Sequence, residues 1–111
     1  MKTSELPQTI QLALAELKQA LSNFYGPQLR GLYLYGSYAR GAAHAESDID
    51  VLVVLGGAIK PGLEITRMNP VVSAICLQYD LLITLYPLSA ERMATPSEPF
   101  LENLRHDAIP L

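Results

Sequence analysis

A chain of 111 residues can bury one sizeable core but not two, so residues 1–111 are expected to fold as a single domain. Half of the residues are hydrophobic and only 17% are charged, which excludes a disordered chain. The net charge of −3, with eight Lys and Arg scattered from Lys2 to Arg105, excludes a broad nucleic-acid-binding face, which needs clustered cations.

Residues 1–5 carry no apolar signal segment, and the longest apolar runs, such as Val51 to Ile59, fall well short of the roughly 20 residues that span a bilayer. A cytoplasmic protein without membrane association is the expectation. Leu6, Ile10, Leu14, Leu17, Leu21 and Phe24 recur every three or four residues, the stripe of an amphipathic helix. Thr3 or Ser4 is its expected cap, Pro7 falls in its first turn, and Gly26-Pro27 ends it.

Leu32 to Tyr35 reads as a short strand that stops abruptly at Gly36-Ser37, where a short helix is expected to begin. A loop over 41–47 leads to a second strand, Ile49 to Leu55, so apolar after Asp50 that it should lie at the centre of a sheet. Leu63 to Tyr79 is helical in pattern, with Asn69-Pro70 predicting a kink or a break with Asn69 as cap. The lone cysteine, Cys76, sits on the apolar face of this helix and cannot form an internal disulfide, which fits a reducing compartment. Asp80 to Tyr86 reads as a third strand, stopped by Pro87. The tail from Ser89 holds one or two short helices, and Thr95-Pro96-Ser97-Glu98 has the form of a capping box. The order of elements predicts an α/β fold, an α+β sandwich with a small mixed sheet flanked by helices.

Chemistry concentrates between the first two strands. Asp48 and Asp50, two apart at the head of a strand, leave the same face, and two such carboxylates need positive charge between them. Their oxygen donors suit Mg2+ or Mn2+; a solvated acidic turn is the plainer alternative. Gly36 allows close approach of a ligand, and a helix starting at Ser37 would offer free N–H groups and a hydroxyl to a phosphate. An ordinary capped turn would look the same. Each half alone is more economically structural; ten residues apart on adjoining strands, they suggest a metal-bound triphosphate. Arg40 either reaches the same phosphates or pairs with Glu46; Ser47 is best read as a local cap, His44 as a solvated loop residue, and His106 as lacking a partner.

The run Gly36-Ser37, Arg40-Gly41 and Ser47-Asp48-Ile49-Asp50 ahead of an apolar strand resembles the signature of the DNA polymerase β-like nucleotidyltransferase superfamily, and most closely its minimal nucleotidyltransferases. The resemblance implies a nucleotidyltransferase-like fold over nearly the whole chain. It implies that Gly36, Ser37 and Arg40 contact the triphosphate of ATP and that Asp48 and Asp50 ligate two Mg2+ ions. A third carboxylate from a neighbouring strand completes such sites; Asp80 is the candidate, although a helix-to-strand turn explains it equally. The implied activity is transfer of AMP from ATP to a hydroxyl. Proteins of this kind are often antitoxins that adenylylate a tyrosine of a HEPN-domain toxin, so the expected partner is a HEPN toxin held in a hetero-oligomer. Two other readings stay open: a non-catalytic antitoxin that neutralises its partner by covering it, and transfer to a small molecule.

Overall fold

The computed structural model describes residues 5–36, 38–39, 48–95 and 99–111. Helix α1 spans Gln8–Tyr25 and a single 3₁₀ turn, Gly26–Gln28, leads into strand β1, Leu29–Tyr35. Strand β2, Ile49–Leu55, and helix α2, Pro61–Tyr79, follow; then come strand β3, Ile83–Ser89, helices α3, Ala90–Ala94, and α4, Pro99–Asp107, and a two-residue strand β4, Ile109–Pro110. The sheet runs β3-β2-β1-β4, with β1 antiparallel to β2 and β4, and β2 parallel to β3. This is the small mixed sheet that the element order implied.

The two faces of the sheet are buried by different helices. Alternation along the strands sends Leu32 and Leu34, Ile49, Val51 and Val53, and Ile83 to one face. There they meet Ala13, Leu14, Leu17 and Leu21 of α1 and Met68, Val72 and Ile75 of α2. The other face carries Leu52, Val54 and Leu88 and is covered by Leu101 and Leu104 of α4, with Tyr33, Tyr35 and Tyr86 packed at its margin. Covered on both sides, β2 is the central strand expected from its unbroken apolar run. Each fully buried Leu or Val contributes about 1.5–3 kcal/mol relative to exposure, so β2 anchors the site that it carries.

Several expected boundaries shift. Pro7 stands just before α1 rather than in its first turn and offers it no side-chain cap; Thr3 and Ser4 lie outside the described residues. Phe24 is 46% exposed while Tyr25 takes the buried place. The reason is long-range: the Tyr25 hydroxyl donates to Glu64 Oε1 at 2.8 Å, and Glu64, only 4% exposed, also accepts from Arg67 Nη1 at 3.1 Å. The Arg67 guanidinium lies over both rings, 5.1 Å from Phe24 and 5.6 Å from Tyr25. Burial, followed by the Glu64 carboxylate, pushes the Tyr25 phenol up to about 12.

Helix α2 is continuous through Pro70. Pro70 and the residue whose carbonyl it deprives of a partner, Thr66, both lie on the exposed side, where water can replace the lost bond. Strand β3 likewise runs through Pro87 instead of stopping at it, because β3 is an edge strand. It starts three residues later than expected: α2 ends at Tyr79 as its pattern predicts, but Asp80 closes the helix in the left-handed conformation, φ 53°, ψ 50°, and the strand begins only at Ile83. Ile83 N–H, at the head of β3, donates to Cys76 Sγ at 3.3 Å. His106 is not without a partner: its Nδ1 lies 3.2 Å from Asp107 Oδ1 on the surface. Strand β4 was not foreseen; Leu111 N–H adds a bond to Leu32 O at 2.8 Å and ties the tail to β1. Among the described residues no helix is long and apolar enough to cross a membrane.

Candidate functional site

The site is assembled where β1 ends and β2 begins. Antiparallel pairing sets Tyr35 opposite Asp50, and parallel pairing sets Thr84 of β3 beside Asp50 on the other side. Tyr35, Asp50 and Thr84 therefore form one row across three strands, on the face that α4 covers further along. Asp50 is half-buried. Asp48, outside the strand and exposed, comes level with Leu82, whose carbonyl accepts from Ile49 N–H at 2.9 Å. Both carboxylates stand at the same end of the sheet, as their spacing required.

Gly36 follows Tyr35 at φ 76°, a conformation that favours glycine. A Cβ built there would collide with Asp50 Oδ2. The glycine thus leaves the room in which the Asp50 carboxylate lies against the turn. This brings the turn of the Gly-Ser motif and the second aspartate of Asp-x-Asp into direct contact, a juxtaposition that neither half announces alone. Burial, then the charge of Asp50 and then Tyr86, hold the Tyr35 phenol above its usual range, so Tyr35 stays neutral beside the carboxylate.

Other expected site residues fare differently. Ser37, Arg40, His44, Glu46 and Ser47 lie outside the described residues. So does most of the helix expected from Ser37; Tyr38 and Ala39, which it would include, are in a turn and are buried in the α1–α2 core. Asp80 is exposed at the end of α2, with its N–H bonded to Cys76 O. Among the described residues no group of three or more His, Cys, Asp or Glu is placed to hold a metal ion, so Asp80 is not gathered with Asp48 and Asp50. The two aspartates nevertheless fit a hard dication: they are oxygen donors at one sheet end, and the missing side chain of Gly36 lets the Asp50 carboxylate lie directly against the turn. Thr84 is a site residue outside the expected set, and the alternation Ile83-Thr84-Leu85 is the signal in the sequence that marks it.

Comparison with known proteins agrees with this geometry. The nucleotidyltransferase domain family matches residues 14–75, from within α1 through the two aspartates and most of α2. Two relatives come from Methanocaldococcus jannaschii. "Putative protein adenylyltransferase MJ0141" is 36% identical over 72 residues, 64% of this chain and 71% of the relative. "Putative protein adenylyltransferase MJ0604" is 45% identical over 42 residues, 38% of this chain and 42% of the relative. In fold, the chain is similar to a toxin–antitoxin crystallised with AMP-PNP (TM-score 0.58, 21% identity, 85% of this chain and 68% of that one). It is also similar to a mutant of the toxin–antitoxin MntA-HpeT (TM-score 0.56, 18% identity, 84% and 67%). With the match spanning more than half of the chain and enclosing both aspartates, the glycine turn and the strands that join them, this protein belongs to the nucleotidyltransferase domain family.

Proposed function

We propose that this nucleotidyltransferase moves AMP from ATP to a hydroxyl of a partner protein and thereby acts as an antitoxin. The observation that carries the reading is the contact between Gly36 and Asp50, which sets the glycine turn against a carboxylate that can share a cation with Asp48. In the reaction, the acceptor hydroxyl loses its proton to solvent, its oxygen forms a bond to the α-phosphorus, the bond from that phosphorus to the bridging oxygen breaks, and pyrophosphate leaves with the electron pair. Asp48 and Asp50 would hold two Mg2+ ions, which when bound neutralise the triphosphate and the leaving group. The protein's own part is positional: Gly36 would admit the phosphates, Ser37 and Arg40 would contact them, and β2 holds Asp50, with Asp48 just ahead of the strand.

The acceptor class is supported by the relatives named as protein adenylyltransferases, and the toxin–antitoxin fold neighbours are in keeping with it. The acceptor we favour is a tyrosine of a HEPN-domain toxin, presented in a hetero-oligomer in the cytoplasm. The test incubates the chain with ATP, Mg2+ and the product of the adjacent gene, and follows that product by intact mass. Gain of one AMP, lost on Asp48→Asn or Asp50→Asn, is expected; an unchanged mass would sink the proposal.

A second reading has an observation of its own. Because Asp80 stands apart from the aspartate pair, the chain would serve as a binding module that silences the partner by covering it. Cells protected as well by the Asp48→Ala, Asp50→Ala double variant as by the wild type would favour that reading.

A further inference from the structure

We propose that Thr84, not Asp80, is the β3 residue that faces the ions and triphosphate beside Asp50, so that this chain grips them with two carboxylates and one neutral hydroxyl. The inference rests on the reading of Asp48 and Asp50 as ligands, and it concerns what stands next to them.

Register decides the position. In the parallel β2–β3 ladder Asp50 pairs with Thr84, and neighbouring strands lie about 4.8 Å apart. The faces follow from burial: Ile83 packs in the α1–α2 core, whereas Leu88 packs in the α4 core with Leu52 and Val54, and Tyr86 lies at the margin of that cluster. Thr84 shares the parity of Tyr86 and Leu88, so it shares the face of Asp50. It is also exposed, as a group meeting a ligand must be. Asp80 lies four residues earlier, beyond the end of the strand, and serves a different need. Its left-handed backbone closes α2, a place where Asp and Asn are tolerated and most residues are strained.

The level of Asp48 offers no third carboxylate either. Leu82, whose carbonyl binds the next residue's N–H, is 59% exposed and apolar. The β3 side of the site therefore presents Leu82 and Thr84 and carries no charge. Two aspartates supply a charge of −2 against the cations, and the proton of an attacking hydroxyl meets no carboxylate on β3. A third carboxylate at Thr84 would strengthen cation binding directly.

The experiment measures Mn2+ binding to the purified chain with AMP-PNP present, by the loss of the free-ion EPR signal. Substitutions are Thr84→Asp, Thr84→Asn, Asp80→Asn and Asp50→Asn. Asn suits the left-handed position of Asp80, so that variant keeps the fold and removes only the charge. Thr84→Asp should tighten Mn2+ binding about tenfold, since it sets a new negative charge one strand over from Asp50, while Thr84→Asn and Asp80→Asn should stay within about twofold of wild type. An Asp80→Asn loss as large as that of Asp50→Asn would overturn the proposal, as would a folded Thr84→Asp without tighter binding. The parent reading fails separately: it falls if Asp50→Asn leaves binding unchanged, whatever Thr84→Asp does.

Discussion

The contact between the turn after β1 and the Asp50 carboxylate can be tested by a pair of glycine substitutions. Gly36 and Gly57 both have positive φ, 76° and 81°, so alanine at either place carries a similar backbone penalty. That penalty is about 1–2 kcal/mol, which in a domain of this size lowers Tm on the order of 5–15 °C. The surroundings differ. A Cβ at Gly57 meets nothing within 4 Å, whereas one at Gly36 runs into Asp50 Oδ2. Gly36→Ala must therefore also turn the Asp50 side chain away, at about 0.5–1.5 kcal/mol for an off-rotamer carboxylate. Thermal unfolding of both variants, beside Mn2+–AMP-PNP binding by calorimetry, separates the two effects. Gly57→Ala is expected to lose stability alone. Gly36→Ala should lose slightly more, and its nucleotide binding should fall at least about tenfold, which is 1.4 kcal/mol. Equal loss of stability in the two variants with undiminished binding in Gly36→Ala would refute the idea that the turn shapes the site.

The buried cluster at the α1–α2 junction gives a second test: Glu64→Ala strips the partner from the Tyr25 hydroxyl and from Arg67, and should lower stability to urea by about 1–3 kcal/mol. Tyr25→Phe should lose less, about 1 kcal/mol, because the carboxylate keeps Arg67. The same tyrosine predicts a pH dependence. Its folded value, about 12, exceeds the unfolded value of 10.0, so the folded state holds a proton that the unfolded chain releases. Its contribution is complete below pH 10 and drains away as the pH rises to 12; Tyr25→Phe should flatten that fall, and an unchanged slope would contradict the assignment. Leu101→Ala, in the smaller core, should speed amide exchange across 99–111 while leaving α1 protected. Leu17→Ala, in the larger core, should lower global stability by about 3 kcal/mol and deprotect both.

Elements whose determinants are local could be read from the chain. Strand β2 has the expected bounds because its apolar run begins at a charged pair and ends at two glycines. Helix α1 follows its spacing until the last turn, where the choice of Tyr25 over Phe24 depends on Glu64 and Arg67, some forty residues away. The break expected at Pro70 and the stop expected at Pro87 are absent because a proline's cost depends on whether its neighbours face water or another strand, which is a tertiary matter. In the site, the position of Asp48 and Asp50 at the head of β2 was legible from the apolar run that follows them. The neighbour of Asp50 was not, because register between strands thirty residues apart is set by packing against α2. Asp80, expected to open β3, instead closes α2 in the left-handed conformation, although the helix ends at Tyr79 as its pattern predicts.

Pro87 has a consequence for how this sheet meets other chains. In β3, the carbonyl of Leu82 points toward β2, so the main-chain groups of Ile83, Leu85 and Pro87 point outward. Of their three amide positions, that of Ile83 is engaged by the Cys76 sulfur and that of Pro87 has no hydrogen. An incoming strand would find the donor of Leu85 flanked by two that cannot answer. The β3 edge is thus guarded against strand addition, the route by which sheets recruit peptides and by which they aggregate. Any protein approaching from that side must be engaged through side chains and helices rather than through an added strand.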